Sequence, residues 1–117
     1  ALAHVGDAVY ELLVRTLLAE RGVATALQLH RETVARVKAP AQAKAAAVIL
    51  PHLTEAEHDV YRRGRNSHVN TVPHGSTPGQ YHAATALEAV FGWLWLKGEH
   101  GRVRELFSHI TEELDAA

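Results

Sequence analysis

The stretch Thr77-Pro78-Gly79-Gln80-Tyr81-His82-Ala83-Ala84-Thr85-Ala86-Leu87-Glu88-Ala89-Val90-Phe91-Gly92-Trp93-Leu94-Trp95-Leu96-Lys97-Gly98 decides the fold class. Thr77 is a helix cap, Pro78 suits a first helical turn, Gln80 occupies the capping-box position and Gly98 supplies a stop, so one long helix runs from Thr77 to Lys97. Immediately upstream, Arg65 to Thr77 contains Asn66, Asn70, Pro73, Gly75 and Ser76, a density of turn formers that reads as one long loop. Downstream a last helix is expected from about Gly101 to Asp115.

Towards the N-terminus the same punctuation repeats. Ala1 to Glu20 carries Leu2, Val5, Val9, Leu13 and Leu17 at helical spacing and stops at Gly22, where a left-handed cap is expected. Thr25 and Gln28 have capping-box spacing and open a second helix reaching about Lys38. Pro40 fits the first turn of a third, alanine-rich helix that Pro51 ends. Thr54 and Glu57 form another capping box, opening a fourth helix that ends near Gly64. Nothing is left for strands, and the expected class is all-α with about six helices.

Composition agrees with one folded unit spanning residues 1–117. The 117 residues are 47% hydrophobic and 21% charged, which excludes disorder and fibrous repeats. With no cysteine there is no disulfide, thiolate zinc site or cysteine nucleophile, so any metal must be held by carboxylate or imidazole. No apolar run approaches the roughly 20 residues of a membrane span and no basic-plus-apolar leader opens the chain, so a soluble cytoplasmic protein is expected. Ala1 falls inside a helical pattern without an initiating methionine, and native residues are expected before it. Net charge is −1 with nine histidines uncounted, so any nucleic-acid site must be local.

Two acids stand in the wrong company. Asp7 shares a helical face with Ala3, Tyr10, Val14 and Leu18, and Glu88 lies within about 40° of Ala84, Phe91 and Trp95 at 100° per residue. Burying an unpaired carboxylate costs several kcal/mol, so each needs a cation, a set of donors or a metal. A structural ion pair or cap satisfies either acid singly. Taken together, Asp7 and Glu88 also suit a hard divalent cation such as Mg²⁺, which takes one or two carboxylates and completes its shell with water and substrate phosphate.

The remaining polar groups admit two readings each. Arg62-Arg63-Gly64-Arg65-Asn66 either complements the negative end of the fourth helix or holds phosphate, with guanidinium forks matching phosphate oxygens and Gly64 and Asn66 letting the backbone turn. His4 stands three residues before Asp7 and could share a metal. His58-Asp59 is the doublet of HD-type phosphohydrolases, without convincing partners elsewhere. From Asn66 to Leu96 there is no lysine or arginine, so positive charge in that stretch must come from His68, His74 and His82 as imidazolium. Trp93 and Trp95 read as core or interface aromatics. Val9, Leu13, Phe91, Trp93 and Trp95 together look too many for six short helices to cover, which points to a dimer face.

Gly6-Asp7-Ala8-Val9-Tyr10-Glu11 and Ala84 to Leu96 together resemble the two acidic motifs of ribonuclease III, LGDAVLE and DALEALIGALYL, in the correct order. The resemblance is closer to the Mini-ribonuclease III subgroup, which has the catalytic domain and no double-stranded RNA-binding domain. Arg62 to Asn66 resembles its RRGRN motif, Val37 to Ala43 its VSAKAQA segment, and Tyr81 to Leu96 its YRxATxFEALIGYLYL helix. Ribonuclease III has further acids where this chain has Ala3 and Thr85, and the subgroup resembles this chain in that reduction. His82 and Pro40 stand where the subgroup often has arginine and lysine.

The resemblance implies a homodimeric endoribonuclease that uses Mg²⁺, with Mn²⁺ as a substitute, and cuts double-stranded RNA to leave 5′-phosphate and 3′-hydroxyl ends. Asp7 and Glu88 would be catalytic and would hold the metal. Arg62, Arg63, Arg65, Asn66, His68, His74 and His82 would contact RNA, through shape and backbone rather than base edges. Precursor 23S ribosomal RNA is the expected substrate and a ribosomal protein an expected further partner, with no membrane involved. The alternatives are a helical RNA-binding or ribosome-assembly module without catalysis, and an HD-type phosphohydrolase centred on His58 and Asp59.

Overall fold

A computed structural model describes residues 1–67, 72 and 74–115. Six helices follow in order: α1 (Leu2–Glu20), α2 (Ala26–Val37), α3 (Ala39–Ile49), α4 (Glu55–Arg65), α5 (Pro78–Leu96) and α6 (His100–Leu114). No strand occurs among the described residues, and the fold is all-α.

The caps account for the boundaries. Thr77 and Gln80 close a reciprocal capping box at the start of α5, and Thr54 and Glu57 close another at α4. Only half of the expected box forms at α2, where the Thr25 hydroxyl accepts from the Gln28 N–H. Gly22 and Gly98 follow α1 and α5 with φ of 77°, in the left-handed region that glycine adopts without a Cβ penalty. Helix α3 ends at Ile49, just before Pro51, which sits in a 3₁₀ turn, Leu50–His52.

Helix α5 is apolar nearly all round and is accordingly the central element, packed by α1, α3, α4 and α6. Ala84, Ala86, Leu87, Ala89, Val90, Phe91, Gly92 and Leu94 are buried along it. Its small residues let neighbours approach to backbone contact. A Cβ on Gly6 of α1 would lie 1.6 Å from the Glu88 carbonyl oxygen, and one on Gly92 would lie 2.0 Å from that of Leu2. Residue numbers rise on one helix as they fall on the other, so α1 and α5 cross antiparallel with no side chain between them. Helix α4 uses the same device, since a Cβ on Gly64 would lie 2.8 Å from that of Ala89.

The core corrects one expectation. Val9 and Phe91 are not surplus apolar surface, because the single chain buries both, with Tyr10 edge-on to Phe91 and Phe107 at 5.4 and 5.7 Å between ring centroids. Leu13, Trp93 and Trp95 are half-buried; Trp95 stacks on His100 and Lys97 lies over Trp93. The exposed large apolar side chains on α1 and α5 are instead Leu12, at 53%, and Leu96, at 62%.

Candidate metal centre and nucleic-acid interface

Contact between Gly6 and the Glu88 backbone brings Asp7, the next residue of α1, against the Glu88 side chain. Burial pushes the Glu88 carboxyl up to about 8, and the charge of Asp7 together with a hydrogen bond between the two acids pushes in the same direction, while the Gln42 amide pulls back. At neutral pH the metal-free pair therefore retains a proton. Neither acid forms an ion pair among the described residues. Each was expected to need a partner, and the group that each meets is the other carboxylate. Asp7 is also exposed, although the residues that share its stripe, Tyr10, Val14 and Leu18, are buried.

Glu88 opens into a groove lined by Val37, Lys38 and Pro40 at the α2–α3 junction, by His74 and Ser76, and by Tyr81 on α5. Gln42 of α3 closes its floor. It is 2% exposed, its Nε2 donates to the last α2 carbonyl, that of Val37, at 3.0 Å, and its buried Oε1 has no hydrogen-bond partner. Two adjacent carboxylates without a cation, beside an orphaned amide oxygen, form a donor set of oxygen atoms suited to a hard divalent ion. No cluster of three or more histidine, aspartate or glutamate side chains able to hold a metal occurs among the described residues, so a larger protein cage is not available there.

The other predicted site residues divide between different places. Arg62 and Arg63 both pair with Asp59, at 3.1 and 3.0 Å, on the exposed face of α4. Asp59 is thus held by two guanidiniums, His58 lies beside Tyr61, and neither joins a group of three or more metal-ligating side chains among the described residues. Gly64 is not a turn residue: it lies inside α4 and serves the close packing on α5, while Asn66 is the helix cap. Arg65, Asn66 and His82 share a second groove with Tyr61, Ser67 and Gly79. There the His82 Nδ1 is buried without a partner.

The expected row of loop histidines is not one feature. His74 lines the Glu88 groove and His82 the Arg65 groove. At 100° per residue, Tyr81, Ala84 and Glu88 face one flank of α5 while Gly79, His82 and Ala83 face the other. His68 lies outside the described residues, as do Asn70 and Pro73. Ala3 and Thr85, at the positions of the additional family acids, line a third groove beside Arg63 and Trp93, and the Thr85 hydroxyl donates to the Tyr81 carbonyl at 3.0 Å. His4 is exposed and joins no cluster of three or more metal-ligating groups among the described residues.

Sequence reasoning missed Lys38 and Gln42 in the Glu88 groove. It also missed the bidentate fork from Arg102 of α6 to Glu57, at 2.9 and 2.8 Å. A lone amide in an alanine-rich helix start was the one available signal for Gln42. Burial alone would raise the Glu57 carboxyl, but the Arg102 and Thr54 hydrogen bonds outweigh it and hold the group below the usual range.

Known proteins resemble the chain over most of its length. Residues 1–99 match the ribonuclease III domain family. The chain is 44% identical over 114 residues to the Mini-ribonuclease 3 of Symbiobacterium thermophilum, covering 97% of this chain and 88% of that protein. It is 52% identical over 98 residues to the Mini-ribonuclease 3 of Gloeobacter violaceus, covering 82% and 70%. A crystal structure of a Fusobacterium nucleatum protein superposes with a TM-score of 0.87 at 29% identity, over 95% of this chain and 90% of that one.

Proposed function

The chain belongs to the ribonuclease III family, in its Mini-ribonuclease 3 branch, and we propose that residues 1–117 act as one catalytic domain hydrolysing double-stranded RNA at the Asp7–Glu88 pair. The observation that carries this reading is the contact of the Asp7 and Glu88 carboxyl groups, the second of which lines an open groove. Asp7 and Glu88 are the residues that would hold a divalent ion, Mg²⁺ with Mn²⁺ as substitute. Such an ion, when bound, stabilises charge on a phosphodiester and lowers the pKa of water at the site.

The protein groups have separate roles in the hydrolysis. Glu88, whose carboxyl is raised, would have to be ionised to hold such a cation, so occupancy of the site would depend on pH. Water adds to phosphorus, the bond to the 3′ oxygen breaks and that oxygen leaves as a hydroxyl, so the new ends are 5′-phosphate and 3′-hydroxyl. Arg65, Asn66 and His82 on one flank of α5, with Arg62 and Arg63 beyond them, orient the backbone by its phosphates, and His74 does so on the other flank. His68 belongs to the same proposed RNA surface by its place in the sequence. Contacts of this kind read A-form shape and not base edges.

The substrate we assign is the precursor of 23S ribosomal RNA, cut by a homodimer in the cytoplasm with a ribosomal protein as further partner. The support for these is the branch to which the chain belongs and, for location, the absence of any helix long and apolar enough to cross a membrane among the described residues. The test is cleavage of a duplex RNA with and without Mg²⁺, with Glu88→Gln as control. Metal-dependent cuts with 5′-phosphate ends, absent in the variant, are expected; duplex binding without metal-dependent cleavage would leave a non-catalytic RNA-binding module.

A further inference from the structure

Lys38 shares with His74 the groove that Glu88 opens into. It is exposed, it caps the end of α2 and the start of α3 in one extended residue (φ −65°, ψ 152°), and it forms no ion pair among the described residues. Arg62 and Arg63, by contrast, are both engaged by Asp59. Lys38 is also the only lysine or arginine among the residues lining the groove.

The charge in the groove makes a cation necessary. Two ionised carboxylates and one divalent ion sum to zero, so a phosphodiester entering with one negative charge remains uncompensated in a half-enclosed site unless the protein supplies a positive group. The α3 N-terminus contributes partial positive charge from the same wall. We propose that Lys38 is the phosphate-binding cation of the catalytic groove, holding an RNA backbone phosphate next to Glu88. The proposal rests on the ribonuclease reading above and adds to it a residue outside the arginine motif.

Lys44 provides the control, since it is exposed on the same helix but lines a different cavity, with Tyr10, Arg36 and Phe107. The experiment measures duplex RNA affinity against salt in the cleavage-inactive Glu88→Gln protein, in which binding is read without turnover. Lys38→Ala is expected to weaken binding about fivefold to tenfold at low salt and to make the slope of log affinity against log salt shallower by about one. Lys38→Arg should restore both, and Lys44→Ala should change neither. Equal losses in Lys38→Ala and Lys44→Ala, or an unchanged salt slope in Lys38→Ala, would overturn the assignment. Absence of any duplex binding in the Glu88→Gln parent would instead remove the ribonuclease reading itself, and this proposal with it.

Discussion

Burial first, and the Asp7 carboxylate beside it second, keep the proton on Glu88 well above the ordinary range, up to about 8. The native metal-free protein therefore binds a proton that the unfolded chain has already released, and its stability falls as pH rises from the usual glutamate range to about 8. Glu88→Gln has no such proton to lose. In chelator the variant should melt several degrees above the parent at pH 8 and close to it at pH 5, whereas added Mg²⁺ should raise the melting temperature of the parent alone. Cleavage by the variant should fall by orders of magnitude. Parallel melting profiles across that pH range would remove the coupled pair. At this scale the sequence is partly legible: an acid among alanines and aromatics is visible as a misfit in each helix, but which group it meets is a fact of helix crossing. Lys38 and Gln42 carry no misfit to notice, because a lysine at a helix junction and a glutamine in a first helical turn are ordinary there.

Helices, unlike their partners, announce themselves locally. Thr54, Thr77, Gly22 and Gly98 set boundaries through hydrogen bonds and backbone angles within a few residues, which is why the six elements are readable from the chain. The Arg102–Glu57 fork spans 45 residues and the Gly6–Glu88 contact 82, and neither separation leaves a local trace. Gly6 permits the sharper test. Alanine is favoured over glycine in a helix interior by about 1 kcal/mol, yet at Gly6 its Cβ would collide with the α5 backbone. Gly6→Ala is expected to destabilise by about 2 kcal/mol or more through overpacking, and to cut cleavage by displacing Asp7 from Glu88. Gly101→Ala, in α6 with nothing within 4 Å of the new Cβ, should be neutral or slightly stabilising. Thermal unfolding of the two variants compares them directly; equal stability would mean that α1 and α5 do not touch at Gly6.

The whole molecule has too little net charge to attract RNA by its field, with 12 lysines and arginines against 13 acids. Affinity must come from particular uncompensated cations, which the proposed dimer would present twice. Cutting two strands requires two grooves, and the exposed Leu12 and Leu96 leave apolar surface for association even though Val9 and Phe91 are already covered. Sedimentation at micromolar concentration should show a dimer; a monomer that cuts both strands would contradict it. Within each copy the arginines are unequal. Arg62 and Arg63 divide the charge of Asp59 between them, while Arg65 forms no ion pair among the described residues and lies in a groove with Asn66 and His82. Arg65→Ala should therefore make the salt slope of duplex binding shallower by about one, and Arg62→Ala by less, because that guanidinium is already partly compensated. The complementary change is Asp59→Asn, which frees two guanidiniums without adding any: it should strengthen duplex binding at low salt and steepen the slope, on every duplex sequence alike. If Asp59→Asn weakens binding or leaves it unchanged while the fold is intact, the α4 arginines are positioned by Asp59 for a structural purpose and the RNA path follows Arg65 alone.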